Sequence, residues 1–462
     1  MGNIYKSYQY DVVVVGGGPG GYIAAIKASM LGAKVALVEK DKVGGTCLNR
    51  GCIPTKTYIK NVELVEELKQ FKDRGMNVSL DKNFDIKKAV EYKNKVVKTL
   101  TSGVEYLLKD RGVDVYYDKA NIKKAHEVLL SNNKVISTEK IIIATGAKPR
   151  IIPFEGIKSS KVITSTKALD LDYIPQKIVI VGGGVIGCEF AEIFKSRGSE
   201  VVIIEKEERL IPLLDKDITT SLKKSLINKK VEVYTGTSLQ KFRDIGEKIE
   251  VYTDKTDVIV ADLVLYCIGM QANLEGLEEL DIKIERGAIV VNDKLETSID
   301  SIYAVGDVNG KLMLAHAAFK MGEVAAQNAV GKEIEVDLSC VPSCVYTVPE
   351  ISSVGMTEEK ARENHDVKIG RFNLSSNGKS LASGHKEGYI KVVADSKYNE
   401  ILGVHMFGHG VSELINQAAS LKYHEIPTDE GAQAIFAHPC ISEALMEALA
   451  DVDGECMHLP KK

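Results

Sequence analysis

The chain has 462 residues, is 44% hydrophobic and 27% charged, and contains 39 Gly and 11 Pro. At roughly 150 residues per domain that length suggests about three domains, and the composition excludes a disordered, collagen-like or coiled-coil chain. The 60 Lys+Arg against 64 Asp+Glu leave a formal net charge of −4, so there is no broad basic field for nucleic acid or an anionic membrane.

No stretch approaches the roughly 18 consecutive apolar residues of a membrane span. Met1 to Lys6 has no apolar h-region, and Lys6 stands where a myristoylation pattern starting at Gly2 needs Ser or Thr. The expectation is a soluble, cytoplasmic protein with neither nucleic acid nor membrane as a partner. Eight cysteines are too few for a secreted disulfide scaffold and lack metal-type C-x2-C spacing, so no metal site is expected.

The first predicted strand is the β-branched run Val12 to Val15, typical of a strand buried on both faces. It leads into Gly16-Gly17-Gly18-Pro19-Gly20-Gly21, a helical stretch from Tyr22 to Leu31, and a second strand, Lys34 to Val38, ending in Glu39. The layout returns at Ile178 to Val181, Gly182 to Gly187, a helix to about Arg197, and the strand Val201 to Ile204 ending in Glu205. In both copies the acid follows the third glycine by 18 residues. One glycine signature alone is weak. Two complete β–G-x-G-x-x-G–α–β–acid units are not. The first glycine makes the tight turn, the second admits a pyrophosphate, and the third lets helix and strand close up. The helix N-terminus then faces the phosphates, and the acid suits a ribose hydroxyl. At Glu205 a carboxylate favours NAD over the 2′-phosphate of NADP. Lys206 and Arg209 lie nearby and read as solvated surface charges.

Between the two units lies Gly44-Gly45-Thr46-Cys47-Leu48-Asn49-Arg50-Gly51-Cys52-Ile53-Pro54-Thr55-Lys56. Five helical steps give roughly 7.5 Å of rise, whereas a disulfide wants Cα atoms about 4.4–6.8 Å apart. Bridging therefore needs local distortion, which Gly51 permits. On spacing alone, a redox pair and two inert buried cysteines fit about equally well.

From Ile59 to Lys109 the pattern predicts long surface helices. Ile141-Ile142-Ile143 before Ala144-Thr145-Gly146, and Leu263 to Tyr266 before Cys267-Ile268-Gly269, read as the last strands of the two nucleotide folds. Ile302 to Val305 is a third strand, ending at Gly306-Asp307. Beyond Val341, alternating segments at Tyr389 to Ala394 and Ile401 to Phe407 predict antiparallel strands in a separate α+β domain. Its end carries Ala437-His438-Pro439-Cys440-Ile441-Ser442-Glu443. A His-Pro step taken alone reads as a turn. A thiol reaction, however, needs a base that works near neutrality, and a carboxylate on the other ring nitrogen would orient it. Cys340, Cys344 and Cys440 read as core or filler residues, and His316 as packing.

Taken in order, these motifs resemble the FAD-dependent pyridine nucleotide–disulfide oxidoreductases nearly end to end, and within them the members that reoxidise dihydrolipoyl groups. The resemblance implies an α/β fold with two Rossmann-like dinucleotide-binding domains and a C-terminal α+β dimerisation domain. The expected bounds are 1–149 for the first part of the FAD domain, 150–272 for the NAD domain, 273–340 for the segment completing the FAD domain, and 341–462 for the interface. It implies a Cys47–Cys52 redox disulfide, with Cys47 as interchange thiol and Cys52 against the flavin. Lys56 would lie near the flavin and pair with Glu189. His438 and Glu443 would serve the disulfide of the other subunit in a homodimer. FAD would be held by Gly16, Gly18, Gly21, Glu39, Lys40, Gly45, Thr46, Lys56, Ala120, Ala144, Thr145, Gly146, Asp307 and Ala315. NAD would be held by Gly182, Gly184, Gly187, Glu205 and Gly269. No lipoyl-bearing segment precedes the first strand, so the implied substrate is carried by the lipoyl protein of a 2-oxoacid dehydrogenase, acetoin dehydrogenase or glycine cleavage complex. The alternatives are a related reductase of another disulfide and a catalytically idle flavoprotein subunit.

Overall fold

The computed structural model describes residues 8–77 and 84–460. The Gly2 and Lys6 pattern, and residues 78–83 within the stretch expected to be helical, lie outside them. The chain forms two compact units. One comprises Met1–Thr57, Lys88–Ile151 and Gly269–Leu338, the other Tyr58–Lys87, Ile152–Ile268 and Ser339–Lys462.

The first unit is built on a sheet whose strands run in the order Asp114–Tyr117, Val35–Glu39, Tyr10–Val15, Val135–Ile143, Glu127–Leu130, Ala120–Lys124. Val12 registers with Val35 and Val13 with Ile141, both in parallel. Val12, Val13 and Val14 are fully buried, as are Ala36 and Leu37, which is why these strands are unbroken apolar runs. The helices Pro19–Met30 and Ala315–Ala329 pack on one another, with small residues such as Ala24, Ala25, Ala318 and Ala325 buried. Ile141–Ile143 is not the last strand. Ile302–Ala304 pairs with it in parallel on the side away from Tyr10–Val15. An apolar run marks a strand covered on both faces, and it cannot distinguish the middle of a sheet from its end.

The second unit holds an all-parallel sheet in the order Glu232–Tyr234, Glu200–Ile204, Lys177–Val181, Leu263–Tyr266, Val162–Ile163. Here the expected last strand, Leu263–Tyr266, is the last of the sheet along the chain and lies inside it, because the earlier two-residue strand Val162–Ile163, too short to leave a period-2 signal, pairs on its outer side. The same unit contains a five-stranded antiparallel sheet: Ser343–Val345, Glu350–Gly355, Ile401–Gly408, Gly388–Asp395, Val367–Asn373. The two strands expected from alternation pair directly, Tyr389 opposite Phe407. Helices Val411–Tyr423 and Glu443–Asp451 share a core with this sheet through buried Leu414, Ile415, Leu445 and Leu449. Burying each such side chain is worth about 1.5–3 kcal/mol. Among the described residues no helix is long and apolar enough to cross a membrane.

Candidate active site

In the first unit the strand Tyr10–Val15 delivers the chain to Gly16, whose φ is +105°. A Cβ on Gly16 would lie 2.3 Å from the Ala144 carbonyl oxygen, and one on Gly21 would lie 1.8 Å from that of Gly16. The protein's own packing therefore demands these two glycines. Gly18 is different: a Cβ there meets nothing nearer than Gly45 Cα at 3.8 Å. Gly18 caps the Pro19–Met30 helix without a side-chain hydrogen bond, so the helix N-terminus faces a cradle kept free of side chains. That is the surface a pyrophosphate requires. Glu39 accepts the N–H of Gly17 at 2.7 Å and that of Asp41 at 2.8 Å, which fixes the carboxylate at the lip of the turn.

Of the other residues expected at this cofactor, Ala144, Thr145 and Gly146 follow the strand Val135–Ile143, and the Thr145 hydroxyl donates to the Asn273 carbonyl at 2.7 Å. Lys40 pairs with Glu275 at 2.5 Å, and Lys119 reaches the same carboxylate. Ala120 opens the next strand, Ala120–Lys124. Asp307 sits in the 3-10 turn Gly306–Asn309, where burial pushes its carboxyl up. Ala315 begins the helix Ala315–Ala329. Gly269, expected beside the second dinucleotide, belongs to the first unit, where its carbonyl accepts the Arg150 N–H at 3.0 Å.

The dithiol segment is two helices rather than one. Gly44, at φ +90°, caps Gly45–Arg50, the backbone breaks at Gly51, and Cys52–Leu68 begins a second helix. Pro54 falls in the first turn, where its missing N–H costs nothing. Neither sulfur is in a disulfide here. A hydrogen bond with Cys52, together with burial, raises the Cys47 thiol above its ordinary value, while the Lys56 charge pulls the other way. Burial first, and the neighbouring Cys47 second, push the hydroxyl of Tyr22, directly after Gly21, above its ordinary value, and Asp307 adds to the rise of Cys47. The unit thus gathers Cys47, Cys52, Lys56, Asp307 and Tyr22, the last of which the motif reading missed. Its position one step past the third glycine was the available signal.

The second unit repeats the cradle. Gly182 has φ +113°, and its Cβ would meet the Cys267 carbonyl oxygen at 2.4 Å, whereas one on Gly187 would meet that of Gly182 at 1.9 Å. Around Gly184 there is open space. Glu205 accepts the N–H of Glu207 at 2.7 Å, as Glu39 does that of Asp41. Arg209 is not a free surface charge. It grips Glu359 through two contacts, at 2.9 and 3.1 Å. Glu189, buried in the helix Val185–Ser196, accepts the Tyr346 N–H at 3.0 Å.

The same unit carries the expected dyad. His438 Nδ1 lies 2.8 Å from Glu443 Oε1, and the Cys440 N–H donates to Glu443 Oε2 at 2.8 Å. Those two bonds, the Cys440 one foremost, hold the Glu443 carboxyl below its ordinary value. The His438 side chain is 78% exposed, so its second nitrogen is accessible to a substrate. Three packing expectations are corrected. Cys340 and Cys440 are half-buried rather than core residues, and His316 is exposed in the first turn of its helix, whereas Cys344 is half-buried but packs against the core of the antiparallel sheet. Cys340 and Cys440 lie in loops between elements and His316 is the second residue of its helix, places where burial depends on neighbours that the local pattern does not specify. Among the described residues no cluster suited to a metal ion occurs.

Two side-chain-free cradles, each with a fixed acid, together with a proximal thiol pair, define a flavin- and nicotinamide-type disulfide oxidoreductase. The chain belongs to the pyridine nucleotide-disulphide oxidoreductase family, which matches residues 10–322, and the dimerisation domain of that family matches 341–449. It is 39% identical over 456 residues to a dihydrolipoyl dehydrogenase of Bacillus subtilis, covering 97% of this chain and 99% of that protein. It is also 39% identical over 462 residues to that of Thermus scotoductus, with the same coverage. Among solved structures it is similar to the HOCl-induced flavoprotein disulfide reductase RclA from Escherichia coli, at 28% identity and TM-score 0.86 over 96% of this chain and 99% of that one. LpdA from Mycobacterium tuberculosis shares the fold, with TM-score 0.89 at 24% identity over 96% and 99% of the two chains.

Proposed function

We infer that this chain is a dihydrolipoyl dehydrogenase that uses FAD and NAD and acts as a homodimer. The observation that carries the reading is the meeting of Cys47, Cys52 and Lys56 in the unit that also holds the Gly16–Gly21 cradle. The cradle of Gly16, Gly18, Gly21 and Glu39 is assigned to FAD, with Lys40, Gly45, Thr46, Ala120, Ala144 to Gly146, Asp307 and Ala315 around it. The cradle of Gly182, Gly184, Gly187 and Glu205 is assigned to NAD, with Gly269. Domain bounds of 1–149 with 273–340, 150–272 and 341–462 follow from these assignments. When bound, the two cofactors accept an electron pair and a hydride, respectively.

The chain's own residues do the thiol chemistry. His438 takes a proton from one thiol of the substrate, and Glu443 holds the ring tautomer and stabilises the imidazolium. The substrate thiolate attacks Cys47 Sγ of the oxidised pair, the Cys47–Cys52 bond breaks, and Cys52 leaves as a thiolate favoured by the Lys56 charge. The second substrate thiol then displaces Cys47. The products are a cyclic disulfide and a reduced Cys47/Cys52 pair, so two electrons and two protons have passed from the dithiol. Glu189, fixed by the Tyr346 N–H, is assigned to charge balance in this reaction.

The partner is a lipoyl-bearing protein of a 2-oxoacid dehydrogenase, acetoin dehydrogenase or glycine cleavage complex, and the assigned place of work is the cytoplasm. NADH oxidation dependent on lipoamide tests the reading. The parent should turn over, and Cys47→Ser should not, while its NADH-driven reduction of ferricyanide persists. Equal lipoamide turnover by Cys47→Ser would overturn the thiol assignment.

A further inference from the structure

We propose that Asn377 is a positioning residue for the His438–Glu443 dyad, locking the loop that carries it through the Cys440 backbone; this rests on the dyad's assigned role. Asn377 is 4% exposed and lies 63 positions before Cys440. Its two side-chain functions are split. Oδ1 accepts the Ser380 N–H at 2.9 Å and the Ser380 hydroxyl at 3.1 Å, capping the short helix Gly378–Ser383. Nδ2 donates to the Cys440 carbonyl at 3.0 Å.

Cys440 is held from both sides. Its carbonyl receives Asn377, and its N–H donates to Glu443 Oε2, whose other oxygen meets His438 Nδ1. Within its own subunit the imidazole is placed by the hydrogen bond to Glu443, so this relay is the chain's own means of fixing it. A ring placed in this way is only as well oriented as the backbone that sets its partner, and small misplacements at a reacting group cost rate steeply. A side chain at 377 must accept for the cap and donate to a carbonyl at the same time. Asn does both. Asp would cap but turn a carboxylate towards the Cys440 oxygen, and Ser would cap but lacks the reach to donate.

The test uses the holoenzyme with Asn377→Ser, Asn377→Asp and His438→Gln. Three quantities are measured: kcat/KM for dihydrolipoamide from acid to alkaline pH, NADH-driven ferricyanide reduction, and the melting temperature. For Asn377→Ser a fall of about tenfold in dihydrolipoamide kcat/KM is expected, with the acid limb of the profile moved to lower pH as the carboxylate loses its hold on the ring. Ferricyanide reduction should stay within about twofold of the parent. Asn377→Asp should fall at least as far in rate, which separates the lost donor from the retained cap. Parent-like rates and profile in Asn377→Ser, or a parallel loss of ferricyanide reduction, overturn the proposal. If His438→Gln itself keeps parent dihydrolipoamide turnover, the dyad reading fails and the positioning role fails with it. If His438→Gln is inactive while Asn377→Ser is normal, the positioning role alone is lost.

Discussion

Glu205 Oε2 accepts the backbone N–H of Gly183 at 2.6 Å, so the acid proposed to meet the ribose is anchored to the turn proposed to meet the phosphates. Charge and position are thereby fixed together. Glu205→Gln keeps the side-chain length, gives up one of the two backbone N–H bonds that the carboxylate accepts from Gly183 and Glu207, and removes the repulsion of a 2′-phosphate. The ratio of NADPH to NADH catalytic efficiency should rise about tenfold, or ~1.4 kcal/mol. Steady-state kinetics with both nucleotides decide it, and an unchanged ratio would mean that specificity lies elsewhere.

The three glycines of the second cradle are not equivalent. A Cβ at Gly187 collides with the Gly182 carbonyl at 1.9 Å, whereas one at Gly184 meets nothing. Gly187→Ala should yield little folded protein. Gly184→Ala should fold within about 1 kcal/mol of the parent and yet show a tenfold or greater rise in the NADH KM, on the order of the loss expected when a pyrophosphate is pushed off a helix N-terminus. Thermal melts and NADH titrations separate the two cases.

Glu443 is held below the ordinary carboxylate value by the Cys440 N–H first and His438 second. It is therefore ionised throughout the neutral range, where the proposed dyad would use it to support an imidazolium. Glu443→Gln removes that support. Dihydrolipoamide kcat should drop about a hundredfold, and the acid limb of kcat/KM should move to lower pH. A limb that stays in place would show that the carboxylate does not act on the titrating base.

Stability should depend heavily on Lys391, which is 2% exposed and pairs with Asp215 at 3.0 Å, Asp217 at 2.9 Å and Glu358 at 2.7 Å. Burial opposes its charge, but the bonds to Glu358, Asp217 and Asp215 outweigh burial and raise the ammonium above its ordinary value. A raised folded value means that the contribution is complete below the unfolded pKa and is lost as pH rises through the folded one. Glu358 is displaced downwards; burial opposes that shift, and Lys391 and Arg362 drive it. Its contribution is therefore lost as pH falls through its folded value. Between about pH 5 and 10 the cluster should hold steady. Lys391→Met strands the fully buried Asp215 and should cost about 3–5 kcal/mol at pH 7. The penalty should shrink in acid, as urea unfolding across pH would register.

The two glycine–acid units and the Cys47 to Cys52 segment were legible along the chain because each is local. A turn, a helix N-terminus and an acid at a fixed offset place one another through backbone geometry alone, and the apolar runs beside them fix the parallel sheets. The tertiary fold decided what distance in sequence hides. The Ile141–Ile143 strand became internal when Ile302–Ala304 paired with it. Arg209 met Glu359 at the surface, 150 positions away, and Lys40 met Glu275 across 235 positions. Asn377 shows no motif at all, and its role comes from packing that sets its amide against the Cys440 carbonyl. Hydrogen bonds between distant segments depend on how whole layers stack, and no local period carries that information.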